Sequence, residues 1–263
     1  MNDYLPKVLI FAYDFPPCNS VGSQRPYSWY KYFKTLGLYP VIITKNWDSN
    51  IQSQVDYIHN GSKDQTIKIE TEYGTLIKIN NKISFRDKLF IKYDYFPLNY
   101  FRKILSFLIE VLKYPFEYFD DNSKFYSEAM NYSKENKIDI IIASGEPFVL
   151  FKYAYKLSRS LKINWIADYR DGWTTDRTRN NAHFYKLLKF YYSYFENKYL
   201  KTTLFCSFAT KDLLLNHSKK FPYLKKFLLY NGFFSDNKIL QKKKRQETHS
   251  VLVILVKYYF SSQ

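Results

Sequence analysis

Three short stretches of the chain concentrate residues that can bind a ligand through charge or hydrogen bonds. The first, Tyr13 to Arg25, carries Gly22 and Arg25 after a Pro16-Pro17 pair. A glycine there lets backbone N–H groups approach a phosphate closely, a helix starting at that point adds partial positive charge, and Arg25 can supply a full one. A single glycine is not the three-glycine fingerprint of dinucleotide binding, so a looser pyrophosphate contact is the expectation, with a turn merely shaped by Gly22 and the prolines as the alternative. In the second stretch, Ser144 to Phe148, Gly145 and Glu146 precede Pro147. Glu146 can accept hydrogen bonds from sugar hydroxyls, or serve only as an acidic residue favoured at a helix N-terminus. The third, Asp168 to Thr175, crowds Asp168, Arg170, Asp171 and Trp173 into one turn. Its charges can lock one another in a self-contained salt-bridged turn, or, with the flat face of Trp173, receive a sugar ring.

Each of these loops follows a run that reads as a buried strand. Val8 to Ala12, Ile138 to Ala143 and Ile163 to Ala167 are short and apolar, and Val41 to Thr44, Thr202 to Cys206 and Phe227 to Tyr230 add three more such runs. Between them stand helical patterns: Trp29, Tyr32, Phe33 and Leu36 closed by Gly37; Leu150, Tyr153, Ala154, Leu157 and Leu161; and Phe184, Leu187, Leu188, Tyr191, Phe195 and Tyr199. Phe101, Ile104, Leu105, Leu108 and Leu112 fit one face of a further helix, and Thr66 to Glu70 and Thr75 to Ile79 flank a Tyr73-Gly74 turn as a local hairpin. Alternating strands and helices predict an α/β, doubly wound, Rossmann-like parallel sheet, in which ligands sit beyond the carboxyl ends of the strands. All three chemically rich loops fall at that edge.

Composition narrows the partners. The chain has 263 residues, 46% hydrophobic and 24% charged, which is enough apolar material for a true core. Its 27 Tyr and 23 Phe are spread through every segment, which favours a general compositional bias over a specific aromatic binding surface. Forty Lys plus Arg against 24 Asp plus Glu give a formal charge of +16, which favours an anionic partner: nucleic acid, anionic lipid or a phosphorylated small molecule. No nucleic-acid-binding motif accompanies that charge, so a nucleic-acid partner is not expected. Cys18 and Cys206 are isolated, and His59, His183, His217 and His249 lack ligand spacing, so neither a disulfide framework nor a metal site is indicated and the histidines read as packing or surface residues. Val8 to Tyr13 is too short for a secretory h-region, and the longest apolar stretch, Ile104 to Leu112, falls well below the roughly 20 residues that span a bilayer. The expectation is a cytoplasmic protein. Its aromatic, cationic segment Ser84 to Tyr118 could rest on the inner face of the membrane as a peripheral contact.

Taken in order, KVLIFAYDFPPCNSVGSQRPYSWYKYFKTLG, IIASGEPF, WIADYRDGW and LYNGF resemble the N-terminal, acceptor-side domain of family 4-type bacterial glycosyltransferases of the two-domain GT-B architecture. The resemblance covers about residues 6 to 235. It implies retaining, metal-independent transfer of a sugar from a nucleotide-sugar, with no further cofactor, to a glycan or lipid-linked acceptor in cell-envelope polysaccharide synthesis. It places donor phosphates and acceptor near Gly22 and its neighbours, and matches Asp168 and Arg170 to the family's D-x-R-D turn. Where relatives often carry His after the proline of the second loop, Phe148 stands here. The domain boundary is expected near residue 237, with 238–263 as a linker and the residual start of a donor-binding domain. Only Phe234 to Gln263 follow Asn231-Gly232-Phe233, short of a typical domain of roughly 100–150 residues. Truncation, with the donor domain missing or separately encoded, is therefore the expectation. A non-catalytic module that binds the acceptor is the alternative.

Overall fold

The computed structural model describes residues 4–48, 65–80, 88, 98–117, 120–175 and 183–231. His59, His249, most of the 81–97 segment and everything beyond Asn231, including Val251 to Val256, lie outside the described residues. The chain forms an α/β domain around one eight-stranded sheet. Its strands are β1 (Lys7–Ala12), β2 (Tyr39–Lys45), β3 (Ile67–Glu70), β4 (Thr75–Ile79), β5 (Ile140–Gly145), β6 (Trp165–Tyr169), β7 (Thr203–Phe208) and β8 (Lys226–Leu228). Its helices are α1 (Val21–Tyr32), α2 (Leu98–Leu112), α3 (Ser123–Glu135), α4 (Val149–Leu161), α5 (His183–Leu200) and α6 (Lys211–Lys220), with a 3₁₀ turn at Lys34–Leu36.

The strand order is β3-β4-β2-β1-β5-β6-β7-β8, and every pairing except β3 with β4 is parallel. From β1 the sheet grows one way through β2 and β4 and the other way through β5 to β8. The reversal between β1 and β5 is the topological switch point, where the loops leaving neighbouring strands diverge and open a crevice. Alternation along the central strands sorts the core into two layers. Val8, Ile10, Ile42, Ile140, Ile142 and Ile166 face α1, which contributes Trp29 and Tyr30. Leu9, Phe11, Val41, Ile43, Ile141 and Trp165 face α3, α4 and α5. Burial on both faces explains why these strands read as continuous apolar runs.

The expected hairpin forms, with β3 antiparallel to β4, and β4 also pairs parallel with β2 and so joins the hairpin to the main sheet. The strands expected to stop at Ala143, Ala167 and Cys206 each run two residues further. Ser144, Asp168 and Ser207 are direct ladder neighbours across β5, β6 and β7, so a polar rung continues the sheet where hydrophobicity ends.

Candidate functional site at the switch point

The rung is the foundation of the site. Asp168 is fully buried on a central strand, where an isolated carboxylate would be prohibitively costly. It accepts from Ser207 Oγ at 2.7 Å, Ser144 Oγ at 3.1 Å and Arg25 Nη1 at 2.6 Å. Arg25 reaches it from the second turn of α1. Its remaining nitrogens donate to the Leu229 carbonyl at 2.6 Å and to Asn231 Oδ1 at 2.9 and 2.6 Å. The guanidinium, expected to offer its charge to a phosphate, is buried, paired with Asp168 and engaged by the Leu229 carbonyl and Asn231. Together Arg25 and Asp168 tie α1, β6 and the segment after β8 into one block.

Arg170, two residues beyond Asp168, lies across the crevice itself. Its Nε donates to the Gly145 carbonyl at 2.8 Å, its Nη2 to the Glu146 carbonyl at 2.7 Å, and its Nη1 stands 3.9 Å from Asp14 Oδ2. Asp14 also accepts from Ser20 Oγ at 2.7 Å, just before α1 begins. Gly22 is needed for this arrangement, because a Cβ there would fall 1.6 Å from Arg170 Nη1 and 2.8 Å from Asp14 Oδ2. The space above Gly22, expected to face a phosphate, is filled by the protein's own cation and anion. Gly145 serves a similar end, since a Cβ would meet the Phe148 ring at 2.8 Å.

The third loop is thus not a self-contained salt-bridged turn, as its charges pair with α1 and with the first loop. Asp171 is exposed and Glu146 half-buried at the same edge. Trp173, expected to offer a flat face to a sugar ring, is enclosed in this structure. It is 3% exposed, stacked on Phe148 at 5.2 Å and on Tyr114 at 5.5 Å, so neighbouring rings cover it. Phe148, standing where a His was anticipated from the resemblance, is therefore part of an aromatic core that supports the loop.

Below that loop lies a buried polar node absent from the sequence reading. Glu196 accepts from Tyr169 Oη at 3.0 Å, from Lys220 Nζ at 3.2 Å and from the Thr174 hydroxyl. Burial raises its carboxyl above the ordinary range, while Lys220 and the hydroxyls oppose that shift. His217 is fully buried between Tyr169, Phe208 and Phe221, and both ring nitrogens lack hydrogen-bond partners. Burial, reinforced by Lys226 and Lys220, drives its pKa down to about 3, so the ring is neutral, in keeping with a packing histidine. At the end of β2, Lys45 is buried with its ammonium 4.2 Å from the Trp47 ring centroid.

Asp14, Ser144, Ser207 and Asn231 are the participants that sequence reasoning missed. The signal available for the two serines was their position as polar residues directly after apolar strand runs. Among the described residues no group of His, Cys, Asp or Glu is suited to hold a metal ion, and no helix is long and apolar enough to cross a membrane. At this edge stand the carboxylate of Asp14 and the guanidinium of Arg170, the latter held by the main-chain carbonyls of Gly145 and Glu146. That donor and acceptor set suits a hydroxyl-rich ligand.

No known family profile matches the sequence, and no curated protein matches it significantly. Among solved structures, the chain is similar to sucrose-phosphate synthase from Thermosynechococcus elongatus, with a TM-score of 0.53 at 11% identity, over 87% of this chain and 48% of that one. The likeness is one of fold, a Rossmann-like α/β arrangement around a mostly parallel sheet. This chain spans about half the length of that protein.

Proposed function

We propose that the chain is the acceptor-side half of a family 4-type glycosyltransferase of GT-B architecture, serving transfer of a sugar from a nucleotide-sugar to a glycan or lipid-linked acceptor in cell-envelope polysaccharide synthesis. The observation that carries this reading is the switch point between β1 and β5, in a fold similar to that of a solved sucrose-phosphate synthase, where Asp14 and Arg170 meet above the buried Ser144–Asp168–Ser207 rung. A carboxylate and a guanidinium held by main-chain carbonyls are preorganised to take the hydroxyls of an acceptor sugar. Donor phosphates belong elsewhere in this reading, since Arg25 is neutralised and the position above Gly22 is filled. A donor-binding half, covalently joined or separately encoded, would supply the groups that stabilise the departing diphosphate. The acceptor would be drawn from the cytoplasmic face of the membrane.

The inward commitment of Arg25 and Asp168 also favours a second reading, a non-catalytic module that binds the acceptor and assists a separate donor domain. Both readings require acceptor binding, which is testable by passing membrane-extracted lipid-linked glycans over immobilised protein. Retention by the wild type, lost in Arg170→Ala and Asp14→Asn, is the expected result. Failure to retain any glycan, or equal retention by both variants, would remove the assignment.

A further inference from the structure

The sheet ends on one side in β3, the outermost strand, all four of whose residues are exposed. Its inner edge is laddered to β4, with Ile67 opposite Lys78, Lys68 opposite Ile77, Ile69 opposite Leu76 and Glu70 opposite Thr75. At the turn the Thr71 N–H donates to the Gly74 carbonyl at 2.9 Å, so Thr71 and Gly74 face each other as a hydrogen-bonded pair. Antiparallel ladders alternate, which puts Ile69 and Ile67 in hydrogen-bonded positions as well and turns the main-chain N–H and C=O groups of Lys68 and Glu70 away from β4. Those outward groups are the free edge of the sheet. An exposed edge is a template for another strand unless a proline or a bulge blunts it, and the four-residue ladder of β3 contains neither.

Side-chain charge identifies what the edge fits. Ile67 and Ile69 share one face of β3 and are 40% and 36% exposed. Lys68 and Glu70 share the other, with side chains 49% and 55% exposed. Glu70 is held there through Oε2, which accepts from Tyr39 Oη at 2.9 Å and Thr75 Oγ1 at 2.8 Å, while its Oε1 stands 3.5 Å from Lys68 Nζ. An antiparallel second copy of the same edge can be centred on Lys68, on Glu70 or on Ile69 between them. The first two set like charges directly opposite each other, which is destabilising. Centring on Ile69 puts Lys68 of each copy opposite Glu70 of the other, in the hydrogen-bonded positions that their outward main-chain groups require, with Ile69 facing Ile69 on the axis. We propose that two copies of this chain pair β3 to β3, antiparallel about a two-fold axis at Ile69, and so join their sheets into one. The formal charge of +16 on each copy is spread over the whole chain and screened beyond about 8 Å at physiological ionic strength, whereas the paired edge brings lysine and glutamate in equal number. Because β3 alone runs against the other strands, the two switch points open at opposite edges of the joint sheet. Each lies three strands from the junction, about 14 Å, so pairing leaves both uncovered.

Sedimentation velocity of the full chain over about a hundredfold range of concentration tests the inference, since a four-residue strand gives a weak, concentration-dependent dimer. Lys68→Pro removes an outward N–H without touching the ladder to β4, and should weaken the dimer by about tenfold or more. Lys68→Glu sets acid opposite acid and Glu70→Lys sets base opposite base, so each alone should be monomeric. An equimolar mixture of the two should dimerise again, because both contacts in the mixed pair are then of opposite charge. Ile69→Cys should form a disulfide with its own counterpart under mild oxidation, as residues opposite each other in a non-hydrogen-bonded pair lie about 4.5 Å apart at Cα. Ile67→Cys, which lies opposite Thr71 of the second copy, should not, and native Cys18 and Cys206 are buried. If Glu70→Lys fails to fold for want of its bonds to Tyr39 and Thr75, the cysteine comparison carries the test alone. A wild type that is monomeric throughout overturns the proposal and leaves the edge to another protein's strand. A dimer that survives Lys68→Pro, a folded mixture that stays monomeric, or equal crosslinking through Ile67→Cys overturns it as well. None of these measurements involves a glycan, so a monomeric chain that still retains glycan would sink this inference alone.

Discussion

Asp168 and Arg170 stand two positions apart, on one face by the period of a strand, and take different roles because Asp168 lies within β6 under α1 whereas Arg170 lies one residue past the strand end. Asp168 and its partner Arg25 are 0% and 6% exposed at their side chains, so removing either strands an uncompensated buried charge. Asp168→Ala should lower stability by roughly 3–5 kcal/mol, read as a fall in the denaturation midpoint, and Arg25→Met together with Asp168→Leu should recover part of that loss. Arg170→Ala should behave differently. It gives up two hydrogen bonds to carbonyls at a partly open site, about 1–3 kcal/mol in all, yet it should abolish glycan retention. Gly22→Ala should reproduce the binding defect with Arg170 still present, because the added methyl collides with the guanidinium. Full retention by Gly22→Ala would show that the Arg170 pose is dispensable. None of these pairings was legible in the sequence. Arg25 and Asp168 are 143 residues apart, and local charge pattern pointed Arg170 at Asp168 or Asp171 instead.

At the scale of elements, what could be read was whatever rested on hydrophobic periodicity. Buried on both faces, β1, β2 and β5 announce themselves as apolar runs, and α4 shows its inward stripe plainly. Strand ends were misread where Ser144, Asp168 and Ser207 satisfy one another, since polarity there signals a network and not a loop. The burial of Trp173 was not legible, because residue type cannot tell a stacking platform from a ring that Phe148 and Tyr114 cover. The α5–α6 node carries a pH consequence. His217 has a folded pKa of about 3 against an ordinary 6.5, so between those values the unfolded chain binds the additional proton. Stability from this residue is complete above about 6.5 and is lost as pH falls toward 3, on the order of 4 kcal/mol at the limit. Glu196, with a raised folded pKa, acts in the opposite sense above the ordinary carboxylate range and makes the slope shallower. Thermal melts across pH 7 to pH 4 should therefore fall more steeply for the wild type than for His217→Phe. Parallel curves would exclude His217 as the source.

For the molecule as a whole, the distribution of fixed charge decides what these residues can catalyse alone. Sugar transfer requires stabilisation of the charge that grows on a departing nucleoside diphosphate, and preorganised positive groups are usually the largest part of that effect. Three cations stand at the carboxyl edge described here. Arg25 is neutralised by Asp168, Lys45 is buried against Trp47, and Arg170 is held by two carbonyls beside Asp14. None is both accessible and uncommitted enough to receive a diphosphate. The 263-residue chain by itself is therefore expected to show no appreciable glycosyl transfer and at best weak nucleotide-sugar affinity, while acceptor retention through Asp14 and Arg170 persists. Incubation of purified protein with radiolabelled nucleotide-sugars and membrane extract measures the first quantity, and titration calorimetry with the same nucleotide-sugars measures the second. Robust label transfer that disappears in Arg170→Ala would mean that this half supplies the leaving-group field itself, and the charge argument would have to be abandoned.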